Sequence, residues 1–235
     1  MKKLLFTLAL AAASLSATAQ SKEGVSQTTP AAPAAAPAGY PEQLGATIGQ
    51  VLHTGDAAEL QALAAKLERA AAVAPTDWLP RYYQAYALVI SAFTGKEAAP
   101  VKDKTLDRAE AALAQARRLQ GDESELLALQ AYLYQARLSI EPAARAQEYS
   151  AKVTEAVDRA EALNPANPRP YLIEANNVYY TPAAFGGGAA AARPLYEQAK
   201  ARFAAFRPAS ALAPNWGQDQ LLSRLKQYET PTAAK

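Results

Sequence analysis

The chain has 235 residues, 50% of them hydrophobic and 59 of them alanine, and its 24 basic and 22 acidic side chains give a formal net charge of +2. It has no cysteine and one histidine, which excludes disulfides, thiolate metal sites and a histidine pair for a metal or a proton relay. No run of like charge forms the basic face of a nucleic-acid-binding protein, and the abundance of alanine favours an all-α fold.

Residues 1–19 have the three parts of a secretory signal peptide. Lys2 and Lys3 form the charged start, the apolar run extends from Leu4 to Leu15, and Ala17-Thr18-Ala19 is a small-residue cleavage site. The apolar run is too short to span a bilayer, so no stable membrane anchor is expected after cleavage. The sequence predicts cleavage after Ala19 and a periplasmic or secreted mature protein.

The next segment is a linker. Its residues are mainly Ser, Thr, Ala and Pro, a composition that cannot bury a core and that favours extended conformers. We therefore expect a disordered Pro/Ala-rich linker over residues 20–40, a helical repeat domain over 41–228 and a flexible tail over 229–235.

Proline, glycine and capping residues divide the domain into helices. Pro41 begins the first helix, and Asp56-Ala57-Ala58-Glu59 is a capping-box pattern for the second. Asp77 and Ser124 each offer a side-chain oxygen to begin a later helix. The predicted helices span residues 41–53, 56–73, 78–93, 103–119, 124–139, 143–163, 169–180, 189–206 and 215–228.

Turn segments recur along these helices at steps of 46, 44 and 49 residues, with their third residues at Pro75, Gly121, Pro165 and Pro214. A small residue stands five positions before each: Ala70, Ala116, Ala160 and Ala209. The helices that follow carry their own small residues, Ala85, Ala131 and Ala175, which let two helix backbones approach closely. Spacing of this kind indicates stacked helical hairpins.

This pattern resembles the tetratricopeptide repeat, in which the second helix carries a small–bulky–small series and proline closes the unit. The series here are Leu63-Leu67-Ala70-Pro75, Ala109-Leu113-Ala116-Gly121, Val153-Val157-Ala160-Pro165 and a degenerate Arg202-Phe206-Ala209-Pro214. The hairpins are longer than the usual 34-residue period by roughly ten residues. The resemblance implies an α-α superhelix, or solenoid, of about four hairpins with a C-terminal capping helix.

No cluster of residues has the chemistry of an active site. His53 stands at a helix end, where a cation suits the helix dipole. Gly186-Gly187-Gly188 precedes a helix but lacks the Lys-Ser or Lys-Thr of a phosphate loop, so we interpret it as a structural part of a long hairpin. The carboxylates are scattered and have no calcium-loop spacing. We expect no enzyme activity, no cofactor and no metal site.

Tyrosine is unusually frequent, with 12 in the chain. In tetratricopeptide proteins the first helices of the hairpins line the concave face, and the resemblance implies a binding surface there made of Tyr82, Tyr86, Tyr132, Arg169, Asn176 and Tyr179. Tyrosine joins a large apolar body to a polar tip, which suits recognition; alternatively, these rings fill the alanine-rich core.

The function predicted from these residues is a non-enzymatic scaffold that binds a protein or extended peptide partner in its concave groove. The alternative is a periplasmic small-ligand-binding accessory protein of a solute uptake system. A closed cavity would favour the alternative, and an open aromatic trough would favour a peptide.

Overall fold

The structure is a computed structural model, and it describes residues 36–229. The predicted signal peptide, most of the linker and nearly all of the tail lie outside the described residues. Within residues 36–229 there are nine α-helices and no strand, namely α1 (Tyr40–His53), α2 (Ala57–Val73), α3 (Leu79–Thr94), α4 (Ala99–Arg118), α5 (Glu123–Ile140), α6 (Pro142–Leu163), α7 (Pro168–Tyr180), α8 (Ala189–Ala205) and α9 (Gln218–Glu229). None of the helices in this part of the chain is long and apolar enough to cross a membrane.

Side-chain caps set the starts of α2, α5 and α7. The Asp56 carboxylate accepts a hydrogen bond of 2.7 Å from the Glu59 amide at the start of α2, as the capping box predicts. At α5 the cap is Asp122, which accepts from the Glu125 amide at 3.0 Å. The predicted cap at Ser124 is therefore wrong, because its hydroxyl donates to the Ala160 carbonyl instead.

Each helix packs against the helices next to it in sequence. The four helical hairpins are α1/α2, α3/α4, α5/α6 and α7/α8, and α9 packs on α8. The first helices of the pairs also contact one another, α1 with α3, α3 with α5 and α5 with α7. We call the surface that α1, α3, α5 and α7 share the first-helix face. The predicted all-α fold with superhelical packing is confirmed, whereas the tetratricopeptide type of repeat stays a prediction.

Five of the repeated alanines lie at helix contacts, whereas Ala70 of the first hairpin is only partly buried. Ala85, Ala131 and Ala175 are fully buried, and so are Ala116 and Ala160. The fourth unit departs from this pattern because α8 ends at Ala205, and Ala209 lies exposed in the segment beyond it. The last turn motif therefore does not close a hairpin.

Three glycines shape the α7–α8 connection. Gly186 and Gly188 have φ of 84° and 96°, and the Gly188 amide donates to the Val178 carbonyl at 2.9 Å. A Cβ on Gly187 would lie 2.2 Å from the Thr181 carbonyl oxygen. The glycine run thus forms a tight structural turn after a short 3₁₀ helix at Ala183–Phe185.

Candidate functional site

The segment between α8 and α9, residues 206–217, lies across the first-helix face, and we call it the crossing segment. Its Leu212 packs against α1, where a Cβ on Gly45 would lie 3.2 Å from the leucine methyl. The Ala213 carbonyl accepts a hydrogen bond of 3.0 Å from the Tyr83 hydroxyl of α3, and the Pro214 carbonyl accepts one from Arg169 of α7. The crossing segment therefore covers part of the face that was predicted to bind a partner.

Trp216, near the end of this segment, completes a row of aromatic rings. Its ring stacks on Tyr132 of α5 with centroids 5.3 Å apart and planes 12° apart, and it contacts Tyr86 of α3 at 5.1 Å. Phe93 of α3 continues the row, 5.1 Å from Tyr132. We call Tyr86, Trp216, Tyr132 and Phe93 the aromatic row; Trp216 is only 3% exposed, whereas Tyr86 and Phe93 remain partly accessible.

A buried ion pair lies beneath Trp216. Arg169 has no exposed surface, and its guanidinium donates to the Glu125 carboxylate at 2.8 Å. The Tyr82 hydroxyl accepts from the Trp216 indole nitrogen at 2.8 Å and donates to Glu125 at 3.3 Å. Burial raises the pKa of the Glu125 carboxyl above its ordinary value, an effect that the Arg169 charge opposes only in part. This network links α3, α5 and α7 to the crossing segment.

A second aromatic cluster lies at the end of α7 and is joined to α9 by Arg224. The Arg224 guanidinium lies 4.1 Å from the Tyr179 ring centroid and 5.5 Å from that of Tyr180, and it donates to the Tyr180 hydroxyl at 2.7 Å. Tyr180 is 69% exposed and Phe185, five residues further along, is 81% exposed. One turn before Arg224, Gln220 accepts a hydrogen bond of 3.4 Å from the Tyr132 hydroxyl, which joins this cluster to the aromatic row.

Two grooves lie elsewhere, between neighbouring hairpins. One of about 280 Å³ is bounded by α2, α3 and α4 and has no aromatic lining residue. The other, of about 430 Å³, is bounded by α4, α5 and α6; Tyr134 is its one aromatic residue, among Arg117, Glu123, Lys152, Glu155 and Arg159. Neither groove has the predominantly apolar and aromatic walls that are typical of a small-ligand site.

The six predicted site residues lie on or beneath the first-helix face, at different depths. Tyr82 and Arg169 are fully buried beneath the crossing segment, and Asn176 accepts a hydrogen bond of 2.7 Å from the Tyr196 hydroxyl. Tyr86 and Tyr132 belong to the aromatic row, and Tyr179 lies half-buried under Arg224.

Five further residues of this surface were missed from the sequence: Trp216, Phe93, Tyr180, Gln220 and Arg224. Trp216 lies two residues after Pro214 of the last turn segment, and α9 lies outside the hairpins that the resemblance aligns. The available signal was a tryptophan in a turn segment of a chain that has only two tryptophans.

The chain matches no protein-family model and no curated protein. It is similar to a solved structure, the HusA haemophore from Porphyromonas gingivalis, with 34% sequence identity and a TM-score of 0.73. The match covers 85% of this chain and 100% of the haemophore chain.

This relationship corrects one prediction. The expected partner, a protein or extended peptide, is wrong, because a haemophore carries a small ligand, haem. With 34% identity over the whole of the haemophore chain, this chain belongs to the family of the HusA haemophore.

Proposed function

We propose that this protein is a secreted, non-enzymatic binding protein for haem and related porphyrins. The observation that carries the proposal is its 34% identity to the HusA haemophore over the whole of that chain. It corresponds to the alternative drawn from the sequence, a small-ligand-binding protein of an uptake system. The signal peptide predicted for residues 1–19 supplies the export that such a role requires.

The first-helix face suits a porphyrin better than the two grooves do. A porphyrin is a broad, flat, largely apolar ring with two carboxylates, so it is best held by aromatic faces and a few cations. The partly accessible rings of Tyr86 and Phe93 belong to the aromatic row, which Tyr132 joins to Gln220 of α9. One turn further along α9, Arg224 contacts the rings of Tyr179 and Tyr180. Arg224 supplies a cation in this surface, and its guanidinium can pair with a propionate.

The side chains here favour recognition of the ring over coordination of iron. The chain has no cysteine, and His53 is exposed at the end of α1, where its ring nitrogen contacts the Gly49 carbonyl. The hydroxyls of Tyr82, Tyr132 and Tyr180 already hydrogen-bond to protein side chains. We expect haemin and metal-free protoporphyrin IX to bind with comparable affinity; much tighter binding of haemin would indicate that Tyr86 or Tyr179, the other tyrosines of this surface, holds the iron.

The proposal is tested by titrating the mature protein with each porphyrin and following the Soret absorbance band. Replacing Tyr180, which is exposed, by Ala and Arg224 by Gln should each weaken binding at least several-fold while leaving the helical circular dichroism unchanged. Tyr134→Ala, in the groove between α4 and α6, is the matched control and should bind as the wild type does.

Two results would contradict these statements. Absence of micromolar binding of either porphyrin by the wild-type protein would remove the proposed function. If Tyr134→Ala abolished binding and the Tyr180 and Arg224 variants retained it, the ligand would occupy the groove between α4 and α6 instead.

A further inference from the structure

Trp216 holds a position in which a flat aromatic ligand would fit. Its ring is stacked nearly parallel on Tyr132 and lies against Tyr86, and the indole N–H is satisfied by the Tyr82 hydroxyl. These contacts come from α3 and α5, whereas Trp216 itself is the last bulky residue before α9. Helices α3 and α5 thus form an aromatic site, and Trp216 from the C-terminal part of the chain fills it.

The crossing segment is attached to this face by side chains. Among the described residues, no backbone–backbone hydrogen bond joins residues 207–216 to another element; the Ala213 amide bonds within the segment, to the Ser210 carbonyl. The bonds that hold it come from Tyr83 to the Ala213 carbonyl, from Arg169 to the Pro214 carbonyl and between Trp216 and Tyr82. Residues 207–211 are exposed.

Both ends of the segment are built to change direction. The α8 helix ends at Ala205, and Pro208 prevents its continuation. At the other end Gly217 has φ of 103°, a conformation that side-chain-bearing residues rarely adopt. Since no helix or sheet hydrogen bonds have to break, the segment can withdraw as a unit between these two points.

We propose that Trp216 occupies the place against Tyr132 and Tyr86 that a porphyrin ring takes, so that binding requires the crossing segment to withdraw. This inference rests on the proposed function. Trp216 is stacked on Tyr132 as a flat aromatic ligand would be, and both cannot occupy the same face of that ring, so a porphyrin that uses this face must displace the indole. The segment then sets the affinity, since every binding event first loses the contacts of Trp216.

The chain has no cysteine, so a disulfide can be introduced to hold the segment in place. Gly45→Cys with Leu212→Cys can join α1 to the crossing segment, since a Cβ on Gly45 would lie 3.2 Å from a Leu212 methyl, and loss of free thiol on oxidation shows that the bond has formed. Metal-free protoporphyrin IX is titrated into the oxidised variant, into the same variant reduced with a phosphine, and into the wild-type protein with and without the phosphine. This ligand avoids any effect of the reductant on iron.

We expect the oxidised variant to bind at least ten-fold more weakly than its reduced form, and the wild type to be unaffected by the reductant. Equal affinity of the oxidised and reduced variant would overturn the inference while leaving the proposed function intact. Lack of binding by the wild type would remove the proposed function and this inference with it.

A second variant tests the same point without a cross-link. Trp216→Leu keeps an apolar side chain in the segment but removes the stacked ring, so the variant should bind protoporphyrin several-fold more tightly. A folded Trp216→Leu protein with unchanged or weaker binding would show that Trp216 does not compete with the ligand.

Discussion

Replacing Arg169 by Met should destabilise the protein in a way that depends strongly on pH. Arg169 is the cationic partner of Glu125, a residue that is only 6% exposed. In an unfolded chain the Glu125 carboxyl has the ordinary pKa of 4.5. Without the guanidinium, the buried carboxyl stays protonated in the folded state but ionises on unfolding. Folding then binds a proton, and stability falls as pH rises above 4.5.

The magnitude follows from the linkage relation. Keeping one carboxyl of pKa 4.5 protonated costs about 0.8 kcal/mol at pH 5 and about 4.8 kcal/mol at pH 8. The double variant Arg169→Met with Glu125→Gln has the same shape without the titrating group, so the difference between the single and double variants isolates this contribution. We expect that difference to grow by about 4 kcal/mol between the two pH values.

Urea denaturation of both variants at pH 5, 6, 7 and 8, followed by circular dichroism, measures it. Unfolding of the single variant at pH 8 without urea, with a folded double variant, would agree with the expectation. A difference that stays constant across the four pH values would show that Glu125 is solvated or paired with another cation once Arg169 is gone.

Three further predictions concern packing, backbone conformation and titration. Ala160→Trp should lower the free energy of unfolding by about 1–3 kcal/mol, because Ala160 is fully buried. Ala151→Trp, at an exposed position, should change it by less than about 0.5 kcal/mol. Equal urea midpoints for the two variants would refute the helix register. Gly217→Ala should lower the stability more than Gly186→Ala, although both glycines have positive φ. A Cβ at 217 would lie 2.9 Å from a Leu172 methyl, whereas one at 186 would meet nothing within 4 Å. The midpoints of thermal unfolding compare the two variants. Burial and two neighbouring acids raise the pKa of Glu161 to about 7, so its contribution to stability falls as pH rises from 4.5 to 7. Glu161→Gln should therefore stabilise the protein at pH 8 and have little effect at pH 4. The same effect at both pH values would contradict this expectation.

Local signals were enough to predict the helices. The prolines and capping carboxylates that divide the domain act within one turn, and the predicted boundaries differ from the observed ones by at most four residues; the largest difference is at α4, which begins at Ala99 with Pro100 in its first turn. The spacing of the small residues also identified five fully buried alanines, Ala85, Ala116, Ala131, Ala160 and Ala175, but not the burial of Ala70, which is partly exposed.

The arrangement of the surface could not be predicted in the same way, because its partners are far apart in sequence. Glu125 and Arg169 are separated by 44 residues, and Tyr82 and Trp216 by 134. The Ala213-Pro214-Asn215 sequence matches the repeated turn motif, so it predicted the end of a fourth hairpin, whereas α8 ends nine residues before Pro214 and the motif lies in the crossing segment. Helical periodicity shows which residues share a face, but it does not show whether another segment covers that face.

The buried ion pair is best understood through what it positions. Taking a carboxylate and a guanidinium out of water costs several kcal/mol, so a pair such as Arg169 and Glu125 adds little net stability compared with apolar residues of the same volume. Its bonds are directional, however, and they fix the Tyr82 hydroxyl and the Pro214 carbonyl relative to one another. The Tyr82 hydroxyl bonds to the indole nitrogen, and Pro214 lies two residues before Trp216 in the chain, so both groups help to fix where the indole ring lies against Tyr132. An apolar core could bury the same area, but it would not place one ring at one angle over another. If Trp216 competes with the porphyrin, the ion pair holds it in the position that the ligand must take, and it thereby connects the packing of three hairpins to the affinity of the site.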